Sequence, residues 1–167
     1  NSNGLPIYSW SDPKKPPKEN ISTARDIAIL GKYMMDNYEK EVTAITDKQT
    51  YNDSERGFCK NNTNGLLSIM PEVDGIKTGY TDAAGKCLLS TGIKNNIRVI
   101  SAVFKSTVND LYLNSRILLD YGFDNFYVET IVDKNEFIKD KKVFLSKEKK
   151  LTYQPETNYS VVLPNNS

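Results

Sequence analysis

Asp74-Gly75-Ile76-Lys77-Thr78-Gly79-Tyr80-Thr81-Asp82-Ala83-Ala84-Gly85 lies in the middle of a 167-residue chain. Its centre, Lys77-Thr78-Gly79, reads as a short strand carrying a cation, a hydroxyl and a bare backbone patch in three consecutive residues. That combination suits a peptide ending in a carboxylate. Lys77 supplies a point charge, and Thr78 donates a short hydrogen bond to the same group. Gly79 has no Cβ, so a second backbone can approach and pair along the strand edge. The reading requires the Lys77 ammonium and the Thr78 oxygen to meet on one side of that edge and to line a cleft.

The flanking strands follow from patterning. Ala83-Ala84-Gly85 turns the chain into Cys87 to Ile93, and Asn95-Asn96 makes a tight hairpin into Ile97 to Phe104. Both strands are too apolar for a one-faced sheet and are expected to be covered on both sides. Upstream, Ser22 or Thr23 caps a helix whose Ala24, Ile27, Ala28, Gly31, Met34, Met35 and Tyr38 form one apolar stripe. Residues 39 to 64 read as mixed and polar, with a short strand at Arg56 to Lys60 and a turn at Asn61, Asn62 and Asn64. A second helix is expected from Val108 to Tyr121, with Val108, Leu111, Tyr112, Ser115, Leu118 and Leu119 on one face and Gly122 as C-terminal cap. Residues 1 to 20, with Pro6, Pro13, Pro16 and Pro17, form a loop. After Phe126 the pattern changes to period two, at Val128, Thr130 and Val132, then Val143 and Leu145, then Val161 and Leu163.

Composition removes several functional classes. A formal charge of +1 offers no broad field for nucleic acid or anionic lipid. The absence of histidine excludes Ser-His-Asp and Cys-His sites, and most zinc or iron sites, within these residues. No cofactor and no metal are expected. Cys59 and Cys87 could form one disulfide if their strands are neighbours, but two separate half-buried thiols is the preferred reading. Gly79 to Lys86 fails as a phosphate-binding loop, because five residues separate Gly79 from Gly85 and Cys87 stands where Ser or Thr would bind magnesium.

Lys-Thr-Gly is one of three motifs shared by penicillin-binding proteins and related β-lactamases. The run from Asp74 to Lys86, with Asn62-Thr63-Asn64 and Leu66-Leu67 before it, resembles the serine-type D-alanyl-D-alanine carboxypeptidases of low molecular mass, peptidase family S11. Asn3-Gly4-Leu5, Ser22-Thr23-Ala24-Arg25-Asp26 and Leu118-Leu119-Asp120-Tyr121-Gly122-Phe123 extend the likeness over most of the chain in the family's order. The resemblance implies an α/β fold. Residues 1–125 would be the C-terminal part of a transpeptidase-like catalytic domain, an antiparallel sheet with helices, and residues 126–167 the first strands of a β-rich C-terminal domain. That β-rich tail favours a carboxypeptidase over a β-lactamase relative.

In such enzymes a serine attacks the carbonyl between two terminal D-alanines, and the lysine one turn later takes its proton. By resemblance Lys77 sets the electrostatics of the cleft, Thr78 holds the substrate carboxylate, and Gly79 lies on the edge that accepts the peptide. The backbone N–H of Tyr80 matches one of two oxyanion donors, each typically worth about 3 to 4 kcal/mol of barrier. The serine, its lysine and the Ser-x-Asn motif are expected upstream of Asn1, which leaves these residues inactive alone. Ser11-Asp12-Pro13-Lys14 and Ser146-Lys147-Glu148-Lys149 have the letters of Ser-x-x-Lys without the buried helix it needs. An arginine that often helps bind the carboxylate is replaced by Leu111, with Lys105 or Arg116 as substitutes. The expected partners are the peptidoglycan pentapeptide, β-lactam antibiotics once the missing half is present, and either a second copy in an intertwined dimer or a complementing N-terminal fragment. Any membrane anchor would lie outside this chain. The expected location is extracytoplasmic, at the outer face of the cytoplasmic membrane or secreted, and the alternative readings are a non-catalytic cell-wall peptide-binding module or a β-lactamase relative.

Overall fold

The computed structural model describes residues 6–12, 14–136, 138–145, 147 and 150–165. Asn3-Gly4-Leu5, Pro13, Ser146, Glu148 and Lys149 lie outside them. The chain divides into two compact units, residues 1–94 with 98–121, and residues 122–167 with 95–97.

Before Ala24 the described residues are irregular and are tied by a bridge of Ile7 with Lys18, whose backbone bonds measure 3.0 and 2.9 Å. Ser11 and Asp12 sit in this exposed loop, outside any helix. Helix α1 spans Ala24–Thr46 and is capped by Thr23, whose side chain accepts the Asp26 N–H at 3.1 Å. It runs eight residues past Tyr38, where the sequence pattern points to mixed structure. Gly31 and Met35 are buried, Val42 and Thr46 half-buried, and position 39 between them holds Glu39. The core-facing row therefore continues, but through a carboxylate, which hides it from an apolar count. Tyr38, with φ −139°, kinks the helix and is itself half exposed.

Strand β1 (Thr50–Asp53) pairs antiparallel with β2 (Phe58–Asn61), so the expected single strand is a hairpin. A one-turn 3-10 helix, Gly65–Ser68, follows, with Leu66 and Leu67 buried. Strands β3 (Val73–Thr81), β4 (Gly85–Lys94) and β5 (Ile97–Ser106) form a sheet in that order. Asn95 and Asn96, at φ 50° and 64°, make the tight β4–β5 turn, a conformation that asparagine tolerates better than most residues. Leu88 to Gly92 of β4 are all buried, as a strand covered on both faces requires. Gly31 of α1 faces Leu89 and Ile100, which places α1 against one of those faces.

Helix α2 runs Asp110–Asn125. It begins two residues after the expected start, because Thr107 takes the capping position: its hydroxyl accepts the Asp110 N–H at 3.2 Å and donates to the Asp110 carboxylate at 2.7 Å. Leu111, Ser115 and Leu119 are buried at four-residue spacing, while Val108 and Leu118 are exposed. Gly122 is a buried position inside the helix rather than its C-terminal cap.

Among the described residues the second unit contains four strands after α2. β6 (Phe126–Val132) pairs with β9 (Tyr159–Pro164), and β7 (Lys139–Lys142) pairs with β8 (Lys150–Tyr153), all antiparallel. Val128, Val132, Val161 and Leu163 are half-buried, as the period-two reading expects, but Thr130 is exposed, at a register shift in the β6–β9 pairing. Val143 and Leu145 belong to no strand, and Leu145 lies in the left-handed region at φ 64°. The pairing strand is instead Lys139-Asp140-Lys141-Lys142, exposed at every position, so apolar alternation could not reveal it.

One ion cluster ties α1 to the sheet. Arg98 of β5 donates to both Asp74 oxygens, at 3.0 and 2.8 Å, to Thr91 at 2.9 Å and to Glu39 at 2.6 Å. Arg98 and Asp74 are each only 18% exposed. Arg98→Leu leaves the Asp74 carboxylate without its guanidinium, and a loss of about 2 kcal/mol is expected in urea unfolding. Thr23→Ala, which removes only a helix cap, should cost about 1 kcal/mol by the same measurement.

Candidate functional site

The beginning of β3 is held from outside the sheet. Thr46 at the end of α1 donates to the Asp74 carbonyl at 2.6 Å, and the buried Asn64 side chain donates to the Gly75 carbonyl at 3.1 Å. Asn64 also accepts the Leu66 N–H at 3.2 Å, and Asn62 donates to the Thr46 and Lys48 carbonyls at 3.2 and 3.0 Å. The asparagines expected to form a turn therefore also bind α1, the 3-10 helix and β3 into one frame. Gly75 has no room for a side chain, because a Cβ there would stand 2.6 Å from the Thr46 hydroxyl.

Beyond this anchor β3 runs along β4 with Lys77 opposite Leu89, Thr78 opposite Leu88, Gly79 opposite Cys87 and Tyr80 opposite Lys86. Among the described residues the other edge of β3 has no strand partner. A cavity of about 820 Å³ opens there, lined by β3 from Lys77 to Thr81, with Thr63, Ala84, Lys86 and Cys87, and Leu111 and Tyr112 of α2.

Alternation along a strand sends the side chains of Lys77 and Thr78 to opposite faces. The Lys77 ammonium donates to the Thr78 carbonyl at 2.6 Å. Both residues line the same cavity. Backbone groups of residues two apart point the same way, so the Tyr80 N–H leaves the strand on the same side as the Thr78 carbonyl. Gly79 is unobstructed; a Cβ there would meet only Cys87, at 3.9 Å.

Thr63 and Tyr112 complete the wall, and the sequence offered little sign of either. The Thr63 and Thr78 hydroxyls lie 2.6 Å apart, and the Tyr112 phenol donates to the Thr63 carbonyl at 2.7 Å. Thr63 stands inside a quoted triplet, but nothing distinguished it from its asparagine neighbours. Tyr112 read as part of a core face. It approaches because Gly65 opposes its ring, where a Cβ would lie 3.1 Å away.

The cavity's two cations are Lys77 and Lys86. Neither forms an ion pair among the described residues. The Lys86 ammonium sits 4.3 Å from the centroid of the Tyr80 ring, a cation–π contact, and the Tyr80 phenol donates to Asp82 at 2.8 Å. That hydrogen bond, then the Asp82 charge, then a small desolvation effect hold the Tyr80 phenol above the ordinary tyrosine pKa. Of the two substitutes considered for the missing arginine, neither lines the cavity: Arg116 pairs with Asp120 at 3.3 Å on the exposed side of α2, and Lys105 is exposed outside it. Leu111 occupies the wall instead. Cys59 and Cys87 are both free thiols, Cys59 exposed rather than half-buried.

Residues 10–107 match the sequence profile of the D-alanyl-D-alanine carboxypeptidase family, peptidase S11. The D-alanyl-D-alanine carboxypeptidase DacF of Bacillus subtilis is 33% identical over 153 residues, an overlap of 87% of this chain and 38% of that protein. A peptidoglycan synthesis regulatory factor, PBP3, from Streptococcus pneumoniae superposes with a TM-score of 0.73 at 25% identity, over 92% of this chain and 45% of its own. Penicillin-binding protein D2 from Listeria monocytogenes, in its cefotaxime-bound form, superposes with a TM-score of 0.55 at 31% identity, over 62% of this chain and 41% of its own. The chain thus spans less than half the length of each.

Replacing Asp82 with Asn removes both the charge and the stronger acceptor beside Tyr80. The Tyr80 phenol should then ionise at lower pH than in the unaltered protein, as read from its ring-carbon NMR shifts; an unmoved titration would show that Asp82 does not govern it.

Proposed function

Since this chain belongs to the D-alanyl-D-alanine carboxypeptidase family, we propose that it forms one wall of a serine-type site that removes the terminal D-alanine from peptidoglycan stem peptides. The observation that carries the reading is the open edge of β3, where a cation, a hydroxyl and an unpaired backbone line a single cavity. In this reading Thr78 and Lys77 take the terminal carboxylate, and the peptide lies along Gly79 as an added strand. The Tyr80 N–H receives the oxygen of the scissile carbonyl as it becomes an oxyanion. The Thr63 hydroxyl, 2.6 Å from that of Thr78, keeps the latter oriented towards the cleft. Lys77 leaves a neutral carbonyl for an anion on binding, which is an electrostatically favourable exchange.

The attacking serine and its proton-accepting lysine have no counterpart in the cavity lining, whose hydroxyls belong to threonines and tyrosines. We therefore propose that these residues bind peptide without cleaving it, and that acylation by β-lactams requires the rest of the catalytic domain. Residues 1–125 would be the C-terminal part of that domain, and residues 126–167 the opening strands of a β-rich one. Ile29, Leu30 and Tyr33 on the outer side of α1 are each at least half exposed, and such a surface supports association with a second copy or with a complementing N-terminal fragment. Action on peptidoglycan places the protein outside the cytoplasmic membrane, secreted or anchored there, with a role in the cell wall and cell shape.

An N-acetylated peptide ending in D-alanyl-D-alanine should bind the chain in an NMR titration, with Thr78→Val weakening it about tenfold through the lost charge-assisted bond. Unchanged affinity in that variant would refute the assignment. Incubation with a fluorescent penicillin should leave no covalent adduct; labelling would contradict the proposal that the acylating serine lies outside these residues.

A further inference from the structure

The Thr63 and Thr78 hydroxyls, 2.6 Å apart, share a single hydrogen bond, so one of them donates and the other accepts. A carboxylate offers acceptors only. To hold one, Thr78 must give its own proton to the ligand and accept the proton of Thr63. In the opposite order Thr78 turns lone pairs towards an anion, and the two repel. The bond therefore serves the ledge in one direction, and only while Thr63 stays within reach.

The group that keeps Thr63 in reach comes from α2. Threonine is stiff about its first side-chain bond, so the hydroxyl goes where the backbone goes. Asn62 and Asn64 on either side are tied by their side chains to the carbonyls of Thr46, Lys48 and Gly75, whereas Thr63 itself is exposed. Its carbonyl takes the Tyr112 phenol at 2.7 Å, and the phenol end of that ring lies over Gly65, where no side chain intervenes. No arginine lines the cavity, so a guanidinium is not what steadies this end of the ledge.

We infer that Tyr112 is a positioning residue of the ledge: by bonding to the Thr63 carbonyl it holds the Thr63 hydroxyl where it donates to Thr78, which leaves the Thr78 proton for the terminal carboxylate. The inference rests on the ledge reading and deepens it. The phenol does not touch the ligand; it acts through Thr63. Hydrogen bonds in a chain polarise one another, so a Thr78 hydroxyl that accepts from Thr63 donates more strongly to the anion.

The test titrates N-acetyl-D-alanyl-D-alanine and its C-terminal amide into the full chain by NMR. Tyr112→Phe keeps the ring on Gly65 and removes only the hydroxyl. It should weaken binding of the acid about three- to fivefold, the size of one neutral hydrogen bond, and leave the amide unchanged. Thr63→Val should weaken the acid at least as much, and Thr63→Ser should retain its affinity. Because the phenol acts through Thr63, combining Tyr112→Phe with Thr63→Val should cost no more than Thr63→Val alone. Full affinity for the acid in Tyr112→Phe, with binding still weakened by Thr78→Val, would overturn this inference and leave the ledge standing. Losses that add in the double variant would overturn it by showing that Tyr112 acts on its own, and equal losses for acid and amide by showing that it only holds the fold. An acid that binds the unaltered chain no better than the amide would overturn the inference and the ledge together.

Discussion

The unpaired edge of β3 is the constraint on which the site depends. A strand edge presents N–H and C=O groups at fixed intervals, and only an edge kept free of a neighbour can offer them to a ligand. Here the strand is held almost wholly from one side and from one end. β4 pairs with it from Val73 to Thr81, while Thr46, Asn64 and the Arg98 cluster fix its beginning. The stretch from Lys77 to Tyr80 is consequently ordered without being covered, and a ligand meets a backbone already in strand geometry. Preorganisation of this kind lowers the entropy lost on binding.

The charges divide into two groups with different work. Arg98 pairs with Asp74 and with the more exposed Glu39, and the Arg98–Asp74 pair is buried enough that either member left alone would be costly. Lys77 and Lys86 face the cavity with a carbonyl and an aromatic ring for company, contacts that stabilise a cation only modestly. A formal charge of +1 for the whole chain thus conceals a locally cationic cleft. Net charge describes long-range fields, whereas recognition of one carboxylate is decided within a few ångströms.

Several misreadings share one cause. The core-facing row of α1 continues past Tyr38 through Glu39, and β7 pairs through lysines, so in both places a charged residue performs a structural task that apolar counting assigns to carbon. Gly122 lies within α2 because burial of Leu119, Gly122 and Phe123 outweighs the modest helix penalty of one glycine. Val143 and Leu145 show the converse, apolar residues in alternation that find no partner strand.

Sequence by itself determined the sheet of three strands, the two helices, the asparagine hairpin and the ledge of Lys77, Thr78 and Gly79, because each rests on local periodicity, turn chemistry or adjacent residues. Tertiary structure alone decided that Lys77 and Thr78 line one cavity, that Thr63 and Tyr112 support the Thr78 hydroxyl, and that Lys86 stands across from Tyr80. Those facts depend on strand register and on α2 coming alongside the cleft. Register pairs residues far apart in the chain, and no local pattern encodes which pairs will meet.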